Sequence, residues 1–233
     1  MRVLMIIPAY NEEGSILATV NSIKEFKKIK LDYKVINDGS RDNTKKILIK
    51  NKINFIDLPN NLGIGAAVQT GYKYAYDNGY DIAIQFDGDG QHDINYVERL
   101  IDSIKKDGYD MAIGSRFVGN DSEFQSTVTR RLGIKILSFL LRILTGKTIK
   151  DMTSGYRAVN IKIMELFSKD YAFEYPEPIT NLQVINDGYN VIEVAVGMKE
   201  RKFGKSSINF YKSIYYMFNV GLTMLIYGVR RKK

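Results

Sequence analysis

Asp87 and Asp89 stand two positions apart, with Gln91 the same step further on, in the run Gln85-Phe86-Asp87-Gly88-Asp89-Gly90-Gln91-His92. Two carboxylates and a side-chain amide form an all-oxygen set, which suits a hard divalent cation such as Mg²⁺ or Mn²⁺. The apolar residues Ile82-Ala83-Ile84 before them read as the end of a buried strand. Alternate residues of an extended segment share a face, so Asp87 and Asp89 are expected to point together beyond the strand end. A polar strand-to-loop turn is the competing reading, because Asp and Gly are ordinary turn residues.

The elements that must position these residues can be read in order. Arg2 to Ile7 is a continuous apolar run of the kind found in a parallel strand covered on both faces. It ends at Pro8-Ala9-Tyr10-Asn11-Glu12, and a helix is predicted from about Ser15. Tyr33–Asn37 is a second predicted strand ending at Asp38-Gly39-Ser40, followed by a helix through Lys50. Ile53–Leu58, Asp81–Phe86 and Met111–Ser115 are the third, fourth and fifth strands. Helices over Gly63–Tyr76 and Ile94–Lys106 separate them. Strands alternating with helices in this way predict an α/β fold with a mostly parallel sheet flanked by helices. Ligands in such folds sit beyond the carboxyl ends of the strands. Pro8 to Glu12, Asp38-Gly39 and Asp87 to Gln91 all fall at such ends, which favours one ligand site over three unrelated turns.

Composition narrows the chemistry. The 233 residues include no cysteine and one histidine, His92, which excludes disulfides, thiolate metal sites and a multi-histidine zinc site within the chain. The net charge of +8 is unevenly placed: residues 198–233 hold nine Lys or Arg against Glu200, and the rest of the chain sums to zero. Such asymmetry points to an anionic partner, nucleic acid or a membrane surface. Residues 130–150 form a second basic stretch without an acid. No secretory signal is expected at the start of the sequence, since Val3–Ile7 is a short apolar run leading into Pro8.

Four stretches taken together carry a resemblance: Pro8-Ala9-Tyr10-Asn11-Glu12, Asn37-Asp38-Gly39-Ser40, Asp87-Gly88-Asp89-Gly90-Gln91-His92 and Asp151-Met152-Thr153-Ser154-Gly155-Tyr156-Arg157. They resemble the family 2 glycosyltransferases of the GT-A (Rossmann-like) fold, in the branch of dolichyl- and polyprenyl-phosphate sugar synthases. The resemblance spans roughly residues 1–210 and departs from many members at Ile64, where they carry lysine. It implies that Pro8, Tyr10, Glu12, Asp38 and Gly39 hold the base and ribose of a nucleotide-sugar. Asp87 would face the ribose or the metal, and Asp89 and Gln91 would coordinate Mg²⁺ or Mn²⁺. Arg116, in Gly114-Ser115-Arg116-Phe117, is expected at a phosphate, the geometry that arginine suits. Arg131, Ser154 and Arg157 join the expected acceptor or phosphate set. Arg201 and Lys205, in Glu200-Arg201-Lys202-Phe203-Gly204-Lys205, would clamp phosphate, with Arg201 also assisting catalysis. Asp151 occupies the place of a general base in hydroxyl-directed relatives; an ionised phosphate acceptor needs none, and Asp151 would then orient Arg157 or the acceptor loop. Phe173-Glu174-Tyr175-Pro176-Glu177-Pro178 reads as a rigid loop in which Glu174 or Glu177 meets sugar hydroxyls, or as a purely structural one.

Two stretches bear on the acceptor. Arg130–Leu144 alternates apolar and basic residues at helical spacing, with Ile136, Leu137, Leu140, Leu141 and Leu144 able to share one face. It is either a core helix with a basic edge or an amphipathic helix at an anionic membrane. Ile214–Val229 carries no charge and is bounded by Lys212 and by Arg230-Arg231-Lys232-Lys233. At sixteen residues it is short for a membrane span, so a membrane-associated amphipathic helix is expected. The division expected is a catalytic domain over residues 1–210 and a helix with basic tail over 211–233. The activity expected is inverting transfer of a sugar from a UDP- or GDP-sugar to a polyprenyl phosphate at the cytoplasmic face of the membrane. A small membrane protein or a second copy is a further possible partner; no nucleic-acid module is recognisable. A glycan hydroxyl, with Asp151 as base, is the alternative acceptor.

Overall fold

The computed structural model describes residues 1–119, 128–199 and 210–230. The first half runs β1 (Val3–Ala9), α1 (Ile16–Glu25), β2 (Asp32–Asn37), α2 (Thr44–Lys50), β3 (Phe55–Asp57), α3 (Ile64–Asp77) and β4 (Ile82–Gln85). A 3₁₀ turn at Ile94–Tyr96 then leads into α4 (Val97–Lys105) and β5 (Met111–Ser115). The rest of the chain adds α5 (Val128–Thr145), β6 (Arg157–Asn160), α6 (Ile161–Lys169), α7 (Pro176–Asn186), β7 (Val191–Ala195) and α8 (Phe210–Arg230).

The seven strands form one sheet in the order β3-β2-β1-β4-β6-β5-β7. Only β6 runs against its neighbours; the other pairings are parallel. Every residue of β1, β4 and β5 is buried, which is why those strands read as unbroken apolar runs rather than alternating ones. The chain moves outward from β1 to β3 and then returns to the other side of β1 as β4. That reversal leaves a crevice at the carboxyl ends of β1 and β4, where an open α/β sheet binds its ligand.

Helices cover both faces of the sheet. On one face, α3 packs so closely that a Cβ at Gly71 would lie 2.2 Å from Ile6 Cγ2. On the other, Ile16, Val20 and Ile23 of α1 join Val97, Leu100 and Ile101 of α4 over Met5, Ile7 and Ile84. The predicted elements through β5 are present, with β3 trimmed to three residues and β4 ending at Gln85.

Two expectations change. Residues 176–178 are not a loop: Pro176 opens α7, where a missing N–H costs nothing, after Tyr175 in a left-handed conformation (φ 48°). The five apolar residues of α5 do not share one face. Leu137 and Leu141 lie in the core with Ile134, Leu140 and Leu144 pack beside it, and Ile136 points outward. Helix α8 packs on α5 and α7, with Val220 and Met224 in the same core as β1 and α3. Among the described residues no helix is long and apolar enough to cross a membrane.

Candidate active site

The loops beyond β1 and β2 are tied together before they meet any ligand. The Asn11 side-chain oxygen accepts from the Arg41 amide at 2.8 Å, and the Glu12 amide donates to Thr44 Oγ1 at 2.8 Å. The Asp38 carboxylate is buried and accepts from the backbone N–H groups of Leu62 and Gly63 at 2.8 and 2.9 Å. Asp38 therefore fixes the loop that starts α3. Gly39 beside it has φ 63°, and a Cβ there would lie 2.5 Å from the Asn60 carbonyl carbon. Tyr10 is exposed at the rim and Pro8 is buried beneath it.

Asp87 and Asp89 lie in a turn, not on an extended strand, because β4 stops at Gln85. The same-face argument therefore does not apply to them. The turn is held to β1 by the Gly88 N–H, which donates to the Pro8 carbonyl at 3.3 Å. Asp87 accepts from Gln85 Nε2 and bonds His92 Nε2, each at 3.1 Å. Burial would raise the Asp87 pKa, but His92, the Gln85 bond and the Arg157 charge outweigh it and hold the carboxyl below its usual range. Asp87 is thus a carboxylate, the form a cation requires. Asp89 Oδ1 accepts from the Gln91 amide at 3.0 Å, and Asp87, Asp89 and Gln91 are all partly exposed to the crevice. Among the described residues no three His, Asp or Glu side chains form a metal cluster. Two carboxylates and one amide nonetheless fit Mg²⁺ or Mn²⁺, which retain water and phosphate oxygens as further ligands.

Behind Asp87 lies a polar cluster built from Gln85, His92, Arg157 and Glu177. Arg157 pairs in register with Gln85 across β6 and β4 and is completely buried. Its Nε donates to the Ser154 carbonyl at 2.8 Å and its Nη1 to Thr180 Oγ1 at 2.7 Å. Its charge acts on both Asp87 and Glu177. Burial pushes the Glu177 carboxyl above its usual range although Arg157 pulls the other way. The Gln85 contact was missed, although its position two residues before Asp87 was signal enough. His92 is 4% exposed and stacks on Tyr156 with ring centroids 4.8 Å apart.

The expected phosphate set divides. Arg116 does not face the crevice: it is 5% exposed and forks onto Asp151, with Nε and Nη2 contacts of 2.7 and 2.6 Å. Asp151 is fully buried and also accepts from the Arg116 backbone amide at 3.0 Å. It orients Arg116 rather than Arg157, and no substrate hydroxyl can reach it in this arrangement. Glu193 fixes this loop by accepting from the Lys150 and Asp151 amides at 2.7 and 2.8 Å. Ser154 is buried too, donating to the Gly114 carbonyl. Ser154, in the loop before β6, and Arg157, the first residue of that internal strand, are both buried and support the crevice from within. Arg131 is exposed on α5, away from this crevice-lining turn in sequence and element. Arg201, Lys205 and residues 231–233 lie outside the described residues.

Gly155 has a direct role here. A Cβ on it would lie 2.7 Å from Gln85 Nε2 and 2.8 Å from Asp87 Oδ2. Gly155→Ala is expected to displace the carboxylate and weaken Mn²⁺-dependent nucleotide binding by roughly ten- to a hundred-fold, as lost outer-shell support does. Calorimetric titration of the folded variant measures it.

The family model described as glycosyl transferase family 2 matches residues 5–167, well over half of the chain. This chain belongs to glycosyltransferase family 2. Polyprenol monophosphomannose synthase from Mycolicibacterium smegmatis is 29% identical over 220 residues, covering 89% of this chain and 81% of that protein. The UDP-N-acetylglucosamine–dolichyl-phosphate N-acetylglucosaminyltransferase of Methanococcus voltae is 32% identical, covering 83% and 84%. Undecaprenyl-phosphate mannosyltransferase from Micrococcus luteus is 27% identical, covering 90% and 88%. Among solved structures, Mycobacterium tuberculosis glucosyl-3-phosphoglycerate synthase in complex with Mn²⁺, UDP and glucosyl-3-phosphoglycerate superposes with a TM-score of 0.72. It is 18% identical and covers 97% of this chain and 79% of its own, a likeness of fold. The glycosyltransferase thus has the GT-A architecture, and its Asp87–Gln91 turn sits at the sheet's switch point.

Proposed function

We propose that this glycosyltransferase moves a sugar from a UDP- or GDP-sugar to the phosphate of a polyprenyl phosphate, inverting the anomeric carbon, in cell-envelope glycan biosynthesis. The observation that carries the reading is what the three relatives share. Their names specify mannose or N-acetylglucosamine, yet each includes a phosphorylated polyprenol. The acceptor class is constant while the sugar varies.

In the reaction an acceptor phosphate oxygen forms the new bond to the anomeric carbon. The bond to the donor diphosphate breaks, and its electron pair leaves with the nucleoside diphosphate. No proton has to be removed, which agrees with a buried Asp151 held by Arg116 rather than aimed at a substrate. A Mg²⁺ or Mn²⁺ ion held by Asp87, Asp89 and Gln91 would offset the charge that develops on the diphosphate. The Asn11–Glu12 and Asp38–Gly39 loops, already joined to each other, shape the nucleoside side of the crevice. Arg201 and Lys205 bind the phosphates, and Arg131 on α5 meets the incoming acceptor. The enzyme works at the cytoplasmic face of the cell membrane, where both a soluble donor and a lipid acceptor are within reach.

The test offers radiolabelled UDP- and GDP-sugars in turn, with Mn²⁺ and polyprenyl phosphate, and follows label into organic solvent. One donor is expected to yield solvent-extractable label that mild acid releases as free sugar. Label appearing only on glycan hydroxyls would overturn the acceptor assignment.

A further inference from the structure

Among the described residues, half of the large apolar side chains that stand exposed are gathered on two helices. On α5 they are Leu132, Ile136, Phe139 and Ile143, between 54% and 64% exposed. Their spacing of four, three and four residues puts them in one stripe, opposite the Ile134, Leu137 and Leu141 stripe that enters the core. On α8 they are Phe218, Leu222, Leu225 and Ile226, again opposite the buried Val220 and Met224. Each helix therefore has two apolar faces, and one of them has no protein against it among the described residues.

The two outward faces look the same way. A Cβ on Gly133 would lie 2.8 Å from Met217 Sδ, and one on Gly228 would lie 2.9 Å from a Leu144 Cδ. Contact at 133 with 217 and at 144 with 228 means that the helices run side by side in the same direction. With 100° per residue, the exposed stripe on α5 lies about 90° to one side of its contact line with α8. The stripe on α8 lies about 100° from its own contact line, in the opposite rotational sense. Both stripes thus end on the side facing away from the sheet. Together they make one apolar platform about 17 Å long, the rise over the eleven steps from Leu132 to Ile143.

Charge identifies what covers it. Arg131, Lys135 and Arg142 are exposed and form a second row on α5, alongside the apolar stripe. Neither helix contains an Asp or Glu. An apolar stripe bordered by bases, with no acid on either helix, complements a surface that is apolar beneath and anionic above. A second copy of the platform would bring basic rows together without any acidic partner.

We propose that α5 and α8 form a two-helix platform that lies flat on an anionic bilayer, its eight apolar side chains entering the headgroup and acyl boundary. The assignment rests on the proposed lipid acceptor only for its biological purpose, since the platform's chemistry stands without it. It makes the protein a rider on one leaflet and turns α5, with Arg131 near its start, into part of the docking face.

The test is sedimentation of the full chain with vesicles of phosphatidylcholine, with and without phosphatidylglycerol. Wild type is expected to sediment with the anionic vesicles and much less with the neutral ones. Phe139→Asp with Phe218→Asp, one change per helix, should lower the partition coefficient by at least about a hundred-fold, each lost aromatic accounting for roughly ten-fold or more. Lys135→Gln with Arg142→Gln should remove the preference for anionic vesicles while leaving binding to neutral ones. Circular dichroism confirms folding, and turnover on detergent-dispersed polyprenyl phosphate reads the transferase reaction separately. Lost vesicle binding with retained turnover supports the platform; turnover absent in wild type as well sinks the acceptor reading and leaves the platform standing. Wild type that stays in solution, or aspartate variants that bind as wild type does, overturns it. So does light scattering in which the aspartates split a dimer without changing vesicle binding, which would assign the face to a second copy.

Discussion

Asp89→Ala is expected to lower turnover by roughly a thousand-fold while the chain stays folded, because the proposed cation there would supply several kcal/mol of leaving-group stabilisation. The fold should survive because Asp89 is partly exposed in the turn beyond β4, where its Oδ1 accepts from the Gln91 amide at 3.0 Å. Asp87 is a less clean target. It is bound to Gln85, to His92 and electrostatically to Arg157, so removing it would also leave a buried guanidinium short of a counter-charge. Steady-state kinetics beside a denaturant melt separate the two effects. A variant with normal turnover would remove the cation from this turn.

The second large effect is on stability. Asp151→Ala should destabilise the protein by about 3–5 kcal/mol, the cost of leaving a buried charge without its partner. Arg116 sits 5% exposed, with two of its nitrogens within 2.7 Å of Asp151. The double variant Arg116→Met with Asp151→Leu should recover much of that loss, since a buried ion pair is often no better than apolar side chains of similar size. Urea unfolding of wild type and both variants decides the matter. If Asp151 were instead a general base, Asp151→Ala would lose turnover with its unfolding midpoint unchanged, and transfer to a glycan hydroxyl would return as the better reading.

The contrast between these two aspartates shows what a sequence conveys. The place of Asp87, Asp89 and Gln91 beyond a strand end was legible from the apolar run before them and the alternating pattern around it, whereas their shared face was not, because β4 stops at Gln85. The strands were legible for the same reason: β1, β4 and β5 are buried at every position, so burial is written into them as unbroken apolar runs. Arg116 and Asp151 were not legible as partners. They are 35 residues apart, and only the pairing of β5 with the reversed strand β6 brings them together. The prolines at 176 and 178 read as loop formers because a proline at a helix start and a proline in a turn look alike without the helix that follows. In α5 the periodicity was right but ambiguous, since a helix with apolar residues on three sides offers several stripes. Which stripe is buried depends on α8, a neighbour some eighty residues later.

We propose the Asp87–Gln91 turn as the diphosphate–metal centre of this glycosyltransferase. Its most direct test is the electron paramagnetic resonance signal of Mn²⁺ titrated into the protein with UDP or GDP present. Wild type should bind Mn²⁺ tightly with one of the two nucleotides, and Asp89→Ala should leave the ion free at the same concentrations. Undiminished nucleotide-dependent Mn²⁺ binding by Asp89→Ala would contradict the account.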